Sequence, residues 1–289
     1  MDIKLFSIIV PAYNEQDALA GVIERLRNVA NVYGYDFEII VVDDGSTDGT
    51  GDLSDKMGIK TIKHPSNFGY GRSLKDGILA ATHENIIITD ADGTYPPEAI
   101  AGLAREFNRG FDMVVGARQG KEYRGTFLKM PARYVFKFLA EFAAGQRIPD
   151  INSGFRIFKK SLALKYFDTL CDGFSFTTTI TLAHLLTGCS VHYMPISYHK
   201  RIGYSKVKYF RDSLRTLQII TEAILYYNPI KIFLVLSFLT IIFGLLILTM
   251  GILFHIRTFF DLFAYSIIGS IIIFAMGLQA DLLRRIKEK

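Results

Sequence analysis

The chain has 289 residues, half of them hydrophobic, with a net charge of +5 and no Trp. Its mean hydropathy is +0.25, high for a purely soluble protein, and its pI near 9.0; the apolar excess falls after about residue 228, and before it the composition is that of an ordinary α/β enzyme, with a core helical hairpin of a soluble protein as the other reading of the apolar part. Two cysteines, Cys171 and Cys189, stand outside any CxxC or Cys/His spacing, which excludes a zinc knuckle and leaves two reduced thiols.

Met1-Asp2-Ile3-Lys4 runs straight into an apolar stretch with no signal-peptide pattern, so the first domain is expected to stay where it is made. Phe6 to Val10 reads as a buried strand, and Ala18 to Val32 as a helix with Leu19, Val22, Ile23, Leu26 and Val29 on one face. Phe37 to Val42 and Ile59 to Lys63 read as strands, Gly71 to Ala81 as a helix, and Asn85 to Thr89 as a fourth strand. Pro97 to Asn108 reads as a helix and Asp112 to Gly116 as a further strand. Continuous apolar strands alternating with helices predict an α/β fold with a mostly parallel sheet covered on both faces. Ligands of such sheets bind at the carboxyl ends of the strands. Tyr13-Asn14-Glu15, Asp43-Asp44-Gly45-Ser46, Asp90-Ala91-Asp92 and Gly116-Ala117-Arg118 fall at those ends.

Gly125 to Gln146 reads as a long amphipathic helix. Lys129, Arg133 and Lys137, four residues apart, form one basic stripe on it. A phosphate needs such a cluster, and Arg can grip it bidentately; a solvated charged face is the other reading of Lys129 and Lys137. Lys206 to Tyr227 reads as a second helix, basic at its start and apolar on its other face, suited to the headgroup region of a membrane. An ordinary helix packed on the domain is the alternative there. Ile232 to Phe254 and Leu262 to Ala280 are uncharged and apolar, each long enough to cross a hydrocarbon core of about 30 Å. The short link His255 to Asp261 makes them a hairpin. Lys231 before it and Arg284, Arg285, Lys287 and Lys289 after it place both ends in the cytoplasm by the positive-inside rule. Gly244, Gly251, Gly269 and Gly277 allow close helix contact and, with it, homo-oligomerisation.

Asp90-Ala91-Asp92 ends a hydrophobic strand, so two carboxylates one residue apart reach a loop ligand; hard divalent cations favour such oxygens and in turn bridge diphosphates. Pro11-Ala12-Tyr13-Asn14-Glu15 stands where a dinucleotide-binding fold needs its Gly-rich turn, which disfavours hydride transfer. Tyr13 can stack on a base, Glu15 can accept hydrogen bonds, and a carboxylate of the Asp43 segment can accept from a base or ribose. No basic motif of nucleic-acid type stands out.

With Asn67-Phe68-Gly69-Tyr70-Gly71 added, these segments resemble family 2 inverting glycosyltransferases of GT-A fold. Asp150-Ile151-Asn152-Ser153-Gly154-Phe155-Arg156, Gly116-Ala117-Arg118 and Arg201-Ile202-Gly203-Tyr204-Ser205-Lys206 narrow the resemblance to the polyprenyl-phosphate branch, the dolichyl-phosphate mannose synthases and polyprenyl-phosphate glucosyltransferases. The resemblance implies a GT-A domain over 1–205, a juxtamembrane helix over 206–229 and a two-helix transmembrane hairpin over 230–289. It implies inverting transfer of a hexose from a UDP- or GDP-sugar to undecaprenyl or dolichyl phosphate, with Mg²⁺ or Mn²⁺ as cofactor. Pro11, Ala12, Tyr13, Glu15, Asp43, Asp90, Ala91 and Asp92 would then line the nucleotide-sugar, and Lys206 would close over it. Asp90, Asp92 and Thr94 would form the metal side, Thr94 standing where many relatives carry Gln. Arg118, Arg133, Lys137 and Arg201 would meet the acceptor phosphate, with Asp92, Asp150 and Arg201 closest to the chemistry. A processive synthase, which carries a Trp-containing chain-binding motif, is excluded by the absence of Trp. A non-processive transferase using another glycolipid or glycan, and an inactive membrane scaffold, are the alternatives.

Overall fold

The structure is a computed structural model and describes residues 4–120, 130–201 and 209–287. The chain divides into a first unit ending at Ile220 and a second beginning at Thr221.

In chain order the first unit holds β1 (Leu5–Ala12), α1 (Gln16–Tyr33), β2 (Asp36–Asp43), α2 (Thr50–Lys56), β3 (Lys60–Lys63), α3 (Tyr70–Ala80) and β4 (Asn85–Ile88). A short turn (Pro97–Ala99) leads into α4 (Ile100–Phe107), followed by β5 (Met113–Gln119), α5 (Met130–Ala144), β6 (Arg156–Lys159), α6 (Lys160–Lys165), α7 (Phe176–Leu186) and β7 (Val191–Ser197). The unit boundary falls within α8 (Tyr209–Tyr227). α1 buries the face read from its spacing, and it stops at Gly34, whose φ of 64° suits a residue without Cβ.

The sheet order is β3-β2-β1-β4-β6-β5-β7. β1 pairs in parallel with β2 and β4, with Ala12 beside Asp43 and Ile9 beside Ile88, so these three strands stop at one edge. β6 runs antiparallel between β4 and β5, and its first residue, Arg156, lies beside Ile88 and Val115. The antiparallel insertion therefore delivers the 150–155 segment to the same edge as the acidic loops. The core beneath it is a single cluster that includes Phe6, Ile8, Val10, Leu19, Ile23, Leu26, Val114 and Phe155. Each such fully buried side chain contributes about 1.5–3 kcal/mol of transfer free energy.

His184 on α7 is fully buried; its Nδ1 meets the Ile180 carbonyl at 2.9 Å, and its Nε2 has no partner among the described residues. Burial, seconded by the Arg156 charge, outweighs the pull of that carbonyl and brings its pKa from 6.5 down to about 4. The folded chain holds the ring neutral where an unfolded chain takes up a proton. The stability this provides is complete above about pH 6.5 and drains as pH falls towards 4, by about 3 kcal/mol in all. Thermal midpoints taken from about pH 7 to about pH 4.5 should fall more steeply for the wild type than for His184→Leu.

The second unit is built on α9 (Pro229–Phe254) and α10 (Thr258–Lys287), 26 and 30 residues long. Both are long and apolar enough to cross a membrane, and their large apolar side chains are mostly exposed. The link is shorter than the sequence suggests, because α10 starts at Thr258 and runs on past Ala280 through Arg284 and Arg285, which pair with Asp281 at 3.1 and 2.9 Å. Ser237 and Ser270 bond each other, Oγ to Oγ, at 2.7 Å, and each hydroxyl also reaches the other's carbonyl at 3.1 Å. A Cβ on Gly244, Gly251 or Gly277 would strike Ser266, Phe259 or Phe233 respectively. Three of the four glycines expected to favour homo-oligomerisation are thus used inside the hairpin, where small residues let the two helices approach.

Candidate active site

Two loops at the carboxyl edge are laced together. The Asn14 amide donates to Ser46 Oγ at 2.9 Å, the Thr47 amide to Asn14 Oδ1 at 2.7 Å, and the Glu15 amide to Thr50 Oγ1 at 3.0 Å. Asn14 takes the left-handed conformation (φ 52°) that its short polar side chain tolerates. Asp43 is buried and accepts the Ser46 amide at 3.0 Å. Pro11 and Ala12 are buried beside it and Tyr13 is half-buried, at the ends of β1 and β2.

The acidic pair follows β4. Asp90 Oδ1 accepts the Tyr70 hydroxyl at 2.9 Å. Asp92 Oδ1 accepts the Thr94 amide at 3.1 Å and the Thr94 hydroxyl at 2.6 Å, so Thr94 braces the carboxylate from behind. Asp92 Oδ2 faces Arg201 Nη1 at 3.3 Å, and Arg201 Nη2 pairs with Glu15 Oε1. Arg201 Nε is buried without a partner among the described residues. Burial first, and the neighbouring Asp92 charge second, push the Asp90 carboxyl well above the usual carboxylate range, against the Tyr70 bond and the charges of Arg118 and Arg201. A carboxyl raised by a neighbouring carboxylate is a group that a cation relieves. The donor set is all oxygen and fits a hard divalent ion. Among the described residues no group of three or more His, Cys, Asp or Glu gathers, so phosphate oxygens and water would complete the shell, as is usual for Mg²⁺.

A second polar centre lies beside the first. Asp150, buried, receives Arg118 Nε at 2.7 Å, Arg118 Nη2 at 2.8 Å, the Arg118 amide at 3.1 Å and the Asn152 amide at 3.2 Å. The Arg118 guanidinium also lies over the Tyr198 ring, 5.5 Å from its centroid. Asn152 Oδ1 accepts the Thr178 hydroxyl at 2.6 Å. The Gly154 amide donates to Tyr95 Oη at 2.8 Å. Beneath this loop Arg156 is fully buried, with bonds to the carbonyls of Ser153, Thr177 and Ile151 and to Thr181 Oγ1 at 2.8 Å.

Comparison with known proteins bears on what such a site does. A family model, Glycosyl transferase family 2, matches residues 7–167, more than half of the chain. The chain is a family 2 glycosyltransferase. Among relatives, the dolichyl-phosphate hexose transferase of Haloferax volcanii is 29% identical over 206 residues, covering 71% of this chain and 87% of that one. The undecaprenyl-phosphate 4-deoxy-4-formamido-L-arabinose transferase of Salmonella typhimurium is 26% identical over 216 residues, and the match covers 72% of this chain but 64% of that protein. Among solved structures, glucosyl-3-phosphoglycerate synthase of Mycobacterium tuberculosis, in complex with Mn²⁺, UDP and glucosyl-3-phosphoglycerate, superposes with a TM-score of 0.62 at 17% identity. That match covers 76% of this chain and 80% of that one, and the fold is the GT-A fold expected from the sequence.

In this glycosyltransferase, Glu15, Asp92, Thr94 and Arg201 converge as one cluster, with Asp90 at its side. Arg118 and Asp150, read separately from the sequence, form one ion pair. Lys137 is exposed on α5 and stands 3.8 Å from Glu141. Arg133 and Lys206 lie outside the residues whose side chains are described. Three residues of the site were not singled out by sequence: Tyr70, Gly154 and Arg156. All three stand in quoted segments, so the signal was present, but a tyrosine, a glycine and a buried arginine do not announce a role until their partners are known.

Proposed function

We propose that this glycosyltransferase moves a hexose from a UDP- or GDP-sugar to the phosphate of a polyprenyl lipid, undecaprenyl or dolichyl phosphate, with inversion at the anomeric carbon. The observation that carries it is the acidic pair Asp90 and Asp92, with Arg201 bridging Asp92 to Glu15, in a chain whose second unit has two helices of membrane length. The names of the relatives support a polyprenyl phosphate acceptor, and their different sugars leave the donor to experiment.

Residues 1–205 act as the catalytic domain, 206–229 as a juxtamembrane helix and 230–289 as the hairpin, with domain and C-terminus on the cytoplasmic side. Asp90 and Asp92 would hold Mg²⁺ or Mn²⁺. The bound ion supplies neutralisation of the leaving diphosphate's charge. Pro11, Ala12, Tyr13, Glu15 and Asp43 line the nucleotide. Arg201 takes up a phosphate in place of its carboxylate partners, and Lys206 covers the donor. Arg133 and Lys137 draw in the lipid phosphate, while Asp150, oriented by Arg118, positions the acceptor. That phosphate is already ionised near neutral pH, its second pKa being about 6, so no strong general base is needed and placement dominates.

The test is sugar transfer by the detergent-purified chain, offered both lipid phosphates, a panel of UDP- and GDP-sugars, and Mg²⁺ or Mn²⁺. A metal-dependent, chloroform-extractable sugar product of inverted configuration, lost in Asp92→Ala, is the expected result. Retained configuration overturns the single displacement. Donor hydrolysis without lipid product moves the acceptor to another glycolipid or glycan.

A further inference from the structure

Asp44, the second carboxylate of the motif after β2, faces away from the acidic pair's chemistry and into a clasp. Its Oδ1 accepts the Phe68 amide at 2.8 Å and its Oδ2 the Gly69 amide at 2.9 Å. His64 Nδ1 meets the same Oδ1 at 2.7 Å, and His64 Nε2 meets Asp76 Oδ2 at 3.1 Å. The side chains of His64 and Asp44 are 6% and 5% exposed. Arg72 Nε closes the chain of contacts on Asp76 at 2.7 Å. Gly69, at φ 105°, makes the turn that only glycine takes easily, and the next residue is Tyr70. From the other side the Arg72 amide is fixed by the Asp172 carbonyl at 2.8 Å. The first turn of α3 is thereby pinned at both flanks, and Tyr70 delivers its hydroxyl to Asp90 Oδ1.

We propose that Tyr70 is a positioning residue for the metal-binding carboxylate, held in place by the Asp44–His64–Asp76 clasp. Its hydroxyl occupies Asp90 Oδ1 and leaves Oδ2 for the cation. The proposal rests on the reading of Asp90 and Asp92 as the cation's ligands. Outer partners of this kind fix the orientation of a ligand, and their loss costs about 10–100-fold in metal affinity. On this proposal the clasp acts on the cation through Tyr70, so its effect and that of the tyrosine are one effect.

The experiment is Mn²⁺ binding to the full detergent-solubilised chain, read from the electron paramagnetic resonance of free Mn²⁺, with UDP present in one arm and GDP in the other. Thermal midpoints are recorded alongside. Tyr70→Phe is expected to weaken Mn²⁺ about tenfold while the chain stays folded at the assay temperature. His64→Gln is expected to weaken it in the same direction, and the double variant no further than Tyr70→Phe alone. Wild-type affinity in Tyr70→Phe overturns the proposal while leaving the metal reading intact. Additive losses in the double variant overturn the clasp's part in it. Wild-type protein that shows no Mn²⁺ binding sensitive to Asp92→Ala overturns the metal reading and the proposal with it.

Discussion

Arg118→Ala is expected to cost about 3–5 kcal/mol of stability, because it strands a buried carboxylate. Asp150 has a side-chain exposure of 2%, and among the described residues three of its four hydrogen bonds come from Arg118, two from the guanidinium and one from the backbone amide. The Ala variant keeps the amide but loses the counter-charge. Asp150 is then a buried carboxylate that has lost its counter-ion. Circular dichroism of the solubilised full chain should show the midpoint falling strongly in Arg118→Ala. The double variant Arg118→Ala/Asp150→Ala should recover part of the loss, since no charge is then left behind. An Arg118→Ala midpoint equal to wild type would mean that the pair opens in solution and that Arg118 is available to phosphate.

The pairing of Arg118 with Asp150 illustrates what the sequence could not display. The parallel strands were legible because β1, β2 and β4 are covered on both faces and must be continuously apolar. β6 left no such trace: it has four residues, begins with a charged Arg156, and earns its place by antiparallel pairing with strands far away in sequence. β7 is a sheet-edge strand containing His192 and Pro195, and α7 carries four threonines and an isoleucine among its eleven residues, whose β-branched side chains argue locally for a strand. Helix α7 exists because every residue from Phe176 to Leu185 is buried, a tertiary fact.

The site divides in the same way. Asp90 and Asp92 were visible because an acidic pair at the end of an apolar strand has few structural uses. Asp44 stood next to Asp43 in the same motif, and nothing local separates the residue that accepts the Ser46 amide from the one that closes the clasp. Only the fold, by setting His64 and the Phe68 and Gly69 amides against Asp44, tells the two apart. The glycines show the same limit: Gly244, Gly251 and Gly277 advertised a close helix contact correctly, but not which helix would make it.

Gly154→Ala is expected to lower kcat/KM for sugar transfer about 100-fold while leaving the thermal midpoint close to wild type. A Cβ at this position would lie 2.8 Å from both Asp90 Oδ1 and the Tyr70 hydroxyl, and 3.1 Å from Asp90 Oδ2. Those atoms are the ends of side chains, so the protein relieves the clash by turning Asp90 and Tyr70 aside and keeps its backbone. A displacement of about 1 Å in a group that positions a reaction costs on the order of 10²-fold. The concentration of Mn²⁺ needed for half-maximal rate should rise in the same variant. Gly71→Ala supplies the contrast, because there a Cβ would meet the backbone of Cys171, Asp172 and Gly173, which cannot swing away. That variant should lose stability first and activity as a consequence. If Gly154→Ala instead melts early with unaltered metal dependence, then its glycine serves the packing of the 150–155 loop, and the approach of Asp90 to Tyr70 is not what limits transfer.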